Sequence, residues 1–79
     1  MISAKRRDMF AELYRLAEYY EAPPFKPGDI DGNGNWFVAA NEAQLMPFLR
    51  KWQSDSLATA LAMDIVEDAS RRAAELNKQ

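Results

Sequence analysis

The chain has 79 residues, of which 48% are hydrophobic and 28% are charged, and its formal net charge is −2. This composition is typical of a folded domain rather than a disordered segment, and the length predicts one domain over residues 1–79. The sequence contains no cysteine and no histidine, which excludes disulfides, thiolate zinc sites and the usual catalytic base. We therefore expect a non-enzymatic protein that needs no cofactor.

The sequence also contains no apolar run long enough to span a membrane, and its first residues lack the apolar core of a signal peptide. A cytoplasmic protein without membrane contact is the resulting expectation.

Residues 4–21 are predicted to form the first helix, because Ser3 can cap it and apolar side chains then recur at spacings of three and four. Pro23 and Pro24 end that helix, since proline has no backbone donor and restricts the residue before it.

A loop rich in Pro, Gly, Asp and Asn is predicted over residues 22–40. Its first part is a stiff linker in which Phe25 can anchor on the core, and Pro24 to Pro27 also has the spacing of a P-x-x-P ligand. Its second part resembles the opening of an EF-hand calcium loop, with oxygen-bearing side chains at Asp29, Asp31 and Asn33.

The EF-hand pattern then requires a bidentate glutamate, but Ala40 stands at that position. The resemblance therefore implies at most a weak calcium site at Asp29, Asp31 and Asn33. The same residues also suit a tight turn that holds no ion, because Asp and Asn bond their own backbone and glycine accepts positive φ.

A second helix is predicted over residues 42–53, with Asn41 as its cap and a kink or break at Pro47. A third helix over residues 55–77 follows a cap at Ser54 or Asp55. Trp52 is expected in the core. The predicted architecture is therefore all-α, a small bundle of three helices, or of four if Pro47 breaks the second one.

The third helix has two neighbouring apolar rows and an acidic face. The predicted buried seam is a single row, with a second row of Ala58, Ala62 and Val66 beside it. The seam consists of Leu57, Leu61, Ile65, Ala69, Ala73 and Leu76. The acidic face carries Asp64, Glu67 and Asp68. Water should surround these carboxylates, so they are not a catalytic pair.

Three basic clusters raise the possibility of nucleic-acid binding: Lys5, Arg6 and Arg7; Arg50 and Lys51; Arg71 and Arg72. The acidic face of the third helix opposes this hypothesis, because a recognition helix normally exposes donors and bases. Nucleic acid is therefore not the expected partner.

The preferred hypothesis is a helical protein-interaction module: a regulator, inhibitor or assembly adaptor, of the small kind that phages encode. A core this thin cannot bury all its aromatic rings, so some are expected at an interface with another protein or a second copy. The candidate surface consists of Tyr14, Tyr19, Phe25, Trp36 and Phe37, guided toward a basic partner by Asp64, Glu67 and Asp68. On this hypothesis, replacing both Trp36 and Phe37 by alanine removes partner binding and leaves the helices intact.

Overall fold

The structure, a computed structural model, describes residues 2–21 and 35–77. All regular elements within these ranges are helices, which confirms the predicted small all-α bundle. They are α1 (Ala4–Glu21), α2 (Asn35–Ala40), a π-helical segment (Asn41–Leu45), α3 (Met46–Lys51) and α4 (Ser56–Asn77). None of these helices combines the length and the apolar character that crossing a membrane requires.

Side-chain caps fix the starts of the two long helices. The Ser3 hydroxyl accepts a 3.1 Å hydrogen bond from the backbone N–H of Arg6 at the start of α1. The Asp55 carboxylate accepts bonds of 3.1 and 3.2 Å from the backbone N–H groups of Leu57 and Ala58 at the start of α4. These bonds satisfy amides that have no partner inside the helix, so Asp55, rather than Ser54, is the cap of α4.

The middle helix consists of α2, the π segment and α3, and it differs from the sequence prediction at its start. Helical structure begins at Asn35, inside the range predicted as loop, and Asn41 lies within the helix rather than capping it. The Met46 N–H donates to the Asn41 carbonyl, five residues back, in the wider turn of a π-helix. This turn relieves the clash that a proline ring makes with the carbonyl four residues earlier, so the helix passes Pro47 without breaking.

The polar contacts between helices define their directions. Arg6 pairs with Asp55 at 3.5 Å near the starts of α1 and α4, and Arg72 donates to the Tyr20 carbonyl at 3.3 Å farther along both. The helices α1 and α4 are therefore parallel. The middle helix runs the other way, because its early residue Asn41 contacts Tyr20 while Lys51, at its end, contacts Glu12.

The core lies where the three helices meet. From α1 it takes a single stripe, Met9, Leu13, Leu16 and Tyr20, and from the middle helix chiefly Leu45, Phe48 and Trp52. From α4 it takes four alanines, Ala58, Ala62, Ala69 and Ala73. The most extensive backbone contact between two helices is that of α1 and α4, which these small side chains permit. The indole of Trp52 is buried as predicted, 5% exposed.

Candidate interaction groove between α1 and α4

An open groove runs between α1 and α4 on the side that the middle helix does not cover, and its volume is about 490 Å³. Its floor is apolar and is shared by the two parallel helices. The residues of α1 that line the floor are Phe10, Leu13, Tyr14 and Ala17, and those of α4 are Leu61 and Ile65. Most of the Tyr14 side chain, 67%, is exposed there, as is 38% of Phe10. The groove is therefore a concave apolar surface open to solvent.

The register of α4 produces this groove. The row of large side chains, predicted as the buried seam, is rotated away from the core: Leu57 is 39% exposed, and Leu61 and Ile65 are only half-buried. The adjacent alanine row takes the buried position, with Ala58 and Ala62 at 0% exposure. The predicted seam is thus wrong by one position in the first half of α4, whereas its later members Ala69 and Ala73 are buried as predicted. The physical reason is that alanines let α1 and α4 approach closely, which leaves the larger side chains at the groove.

Charged side chains form the edge of the groove at the end farther from Ser3. They are Glu21 on α1, and Asp64, Asp68 and Arg72 on α4. Asp68 is held by Arg72 at 3.0 Å and by Arg71 at 3.6 Å. Asp64 makes no ion pair or hydrogen bond with any residue that the structure describes. With Arg71 included, three carboxylates and two guanidinium groups leave this edge with a net charge of −1.

The structure divides the aromatic surface predicted from the sequence. Only Tyr14 lies in the groove, where it is joined by Asp64 and Asp68 of the predicted acidic stripe. Glu67 is exposed on another side of α4, beside Arg71. Phe25 lies outside the described residues.

The remaining aromatic residues, Tyr19, Trp36 and Phe37, pack against the core and are partly buried. With Tyr20 they form an aromatic cluster in which Tyr19 stacks on Trp36 at 6.0 Å and Tyr20 stacks on Phe37 at 6.5 Å between ring centroids. Trp36 and Phe37 meet edge to face at 5.0 Å. This geometry attaches α2 to α1, since such pairs stabilise beyond their buried area.

Tyr20 lies at the centre of the aromatic cluster and is fully buried. Its hydroxyl donates to the Asn41 side-chain oxygen at 2.5 Å, which links α1 to the π segment. Burial, and secondarily the charge of an ionised Tyr19, raises the pKa of Tyr20 from 10.0 to about 12. The neutral phenol is therefore the form that the fold requires.

Replacing Tyr20 by phenylalanine should lower the free energy of unfolding by about 1 kcal/mol near neutral pH, because the Asn41 oxygen loses its donor. The pH dependence should change as well. Because the folded pKa is raised, the stability contributed by Tyr20 is complete below pH 10 and is lost as the pH rises toward 12. Wild type should thus weaken over this interval more than Tyr20→Phe.

Urea denaturation at a series of alkaline pH values measures this difference. Tyr14→Phe is the matched control, because Tyr14 is largely exposed and the loss of its hydroxyl should not change stability near neutral pH. Parallel loss of stability in wild type and Tyr20→Phe would contradict the assignment.

The three basic clusters predicted from the sequence do not converge. Arg6 pairs with Asp55, Lys51 pairs with Glu12 at 2.8 Å, and Arg71 and Arg72 both pair with Asp68. The first two clusters lie toward the start of α1, and the third lies near its end. Lys5, Arg7 and Arg50 are exposed. Pairing with carboxylates reduces the positive charge that the other described members of these clusters can offer to a phosphate backbone.

The candidate calcium ligands Asp29, Asp31 and Asn33, and the P-x-x-P segment, lie outside the described residues. Within the described ranges, no three Asp, Glu, His or Cys side chains are grouped so that they could hold a metal ion.

Comparisons of the chain with protein-family models, with curated proteins and with solved structures find no match.

Phe10, Leu61 and Ile65 are groove residues that were not predicted, because helical spacing places all three in apolar stripes expected to face the core. A signal was present in the width of the apolar faces. Phe10 and Ala17 widen the stripe of α1, and α4 has two apolar rows side by side. A helix in a three-helix bundle can bury only part of so wide a face.

Proposed function

We propose that this chain is a non-enzymatic protein-interaction module, a regulator, inhibitor or assembly adaptor, that binds its partner in the α1–α4 groove. The main support is the placement of the large apolar row of α4 at the groove while alanines fill the core. Leaving Leu57, Leu61 and Ile65 in partial contact with water forgoes hydrophobic stabilisation that a partner could supply. An exposed, contiguous apolar surface of this kind is typical of a protein-binding site.

Other features of the chain agree with binding rather than catalysis. The sequence has no histidine or cysteine to act as base or nucleophile. Tyr20, whose pKa is raised, is fully buried and donates to Asn41, so it does not face the groove. The groove has a continuous apolar floor and charges only at its edge, which is the usual anatomy of a protein interface.

Affinity capture from the native host, with two matched variants as bait, tests this proposal. Ile65→Gln makes the groove floor polar, whereas Met63→Gln makes the same kind of change at a residue of α4 that is 40% exposed and outside the groove. We expect Met63→Gln to retain the wild-type partner and Ile65→Gln to reduce its recovery at least about tenfold, as loss of an apolar anchor does.

Urea denaturation of both variants first establishes that they are folded. Equal recovery of the partner by the two folded variants would overturn the groove as the binding site. Recovery of nucleic acid in place of protein would overturn the proposed function.

A further inference from the structure

We propose that the partner places an amphipathic α-helix with basic residues in the α1–α4 groove, where it lies alongside the two parallel helices as the fourth helix of a bundle. This inference rests on the proposed function and adds the class of partner. Three observations carry it: the spacing of the groove residues, the absence of free backbone groups along its sides, and the charge of its edge.

The groove residues repeat as helix-packing positions do. Phe10, Tyr14 and Ala17 stand at i, i+4 and i+7 on α1, and Leu61 and Ile65 stand four residues apart on α4. Two parallel rows of this kind form the ridges between which the side chains of a third helix insert. α1 has 18 residues, which corresponds to a length of about 27 Å, so a partner helix of similar length would cover the groove.

An extended peptide fits this groove less well than a helix does. Both walls are α-helices, whose backbone N–H and C=O groups are already bonded within each helix. An extended segment would therefore bring its own backbone groups against Phe10, Leu61 and Ile65 without finding partners, which costs free energy for each one. A helix satisfies its backbone internally and presents only side chains.

The charge at the groove edge selects a basic helix. Glu21 and Asp64 make no ion pair with another described residue, while Asp68 is shared by Arg71 and Arg72. Lysine or arginine on the partner helix, beside its apolar face, can reach these carboxylates from the edge of the contact. Such pairs set orientation and specificity more than raw affinity.

A second copy of this chain is a less suitable occupant. In a symmetric dimer formed through this groove, the same patch faces itself, so two edges of net negative charge would enter one interface. Like charges brought together in this way oppose association. A basic helix from another protein removes that repulsion and uses the same apolar floor.

The test uses three synthetic peptides of about 18 residues with leucines at helical i, i+3, i+4 and i+7 spacing. The peptides are identical except that their polar positions carry lysine, glutamine or glutamate. Fluorescence anisotropy with the full chain measures each dissociation constant. We expect the lysine peptide to bind about three- to tenfold more tightly than the glutamine peptide, and the glutamate peptide to bind most weakly.

Two protein variants locate the binding. Ile65→Gln should weaken all three peptides, whereas Met63→Gln should weaken none. Asp64→Asn should weaken the lysine peptide by about threefold, an ordinary value for one exposed ion pair, and leave the glutamine peptide unchanged. Added salt should reduce the advantage of the lysine peptide in wild type.

The outcomes separate this inference from the proposed function. Equal affinities for the three peptides, or binding unaffected by Ile65→Gln, would overturn the basic helix as partner, as would no binding at all. The proposed function would survive any of these results if capture of the native partner still depended on Ile65. Sedimentation of the wild-type chain as a dimer that Ile65→Gln dissociates would instead assign the groove to a second copy.

Discussion

Ala62→Leu is expected to destabilise the protein by about 2–3 kcal/mol, whereas Leu61→Ala, at the adjacent residue, should cost about 1 kcal/mol or less. Ala62 is fully buried in the core where the helices pack together, so a larger side chain forces them apart. Leu61 is half-buried in the groove, and alanine there improves the intrinsic helix propensity. Of the two native side chains, Leu61 is the larger, yet it should contribute less to stability than the small size of Ala62 does.

Urea denaturation followed by far-ultraviolet circular dichroism measures both changes. Ala60→Leu is the matched control, because Ala60 lies on the exposed side of α4 and should tolerate leucine within about 0.5 kcal/mol. If Leu61→Ala proves more destabilising than Ala62→Leu, then the row of large side chains is the true core seam and the groove is not open.

The starts of α1 and α4 are encoded locally, which is why they could be predicted. Ser3 and Asp55 bond the first free amides of their helices. The start of the middle helix is different. Asn41 followed by Gln44 has the appearance of a cap, but contacts with Tyr20 hold this segment within a helix that begins six residues earlier. Tertiary packing here outweighs local residue preference.

The rotation of α4 could not be predicted from periodicity. The leucine row and the alanine row have the same helical spacing and differ in direction by one residue, about 100° around the axis. Hydrophobicity alone favours burying the larger row, whereas the close approach of α1 favours the smaller one. Tyr14, Asp64 and Asp68 were therefore chosen as site residues without the neighbours, Phe10, Leu61 and Ile65, that join them into one groove.

Replacing both Trp36 and Phe37 by alanine should lower the free energy of unfolding by roughly 3–5 kcal/mol. The two rings pack on Tyr19 and Tyr20 against the core, and they hold α2 on α1. In a domain this small, a loss of that size approaches the total stability. The expectation from sequence alone, that the helices survive this change while partner binding is lost, is therefore revised: the helical signal should fall with the fold.

The matched control replaces another pair of aromatic residues, Phe10 and Tyr14, which line the groove with 38% and 67% of their surface exposed. Its cost in stability should be smaller, about 2 kcal/mol, because a large part of both rings is already exposed. This control pair should instead lose partner capture, since it removes one wall of the groove. A Trp36→Ala, Phe37→Ala protein that unfolds at the wild-type urea concentration would place those rings on the surface and return them to the candidate interface.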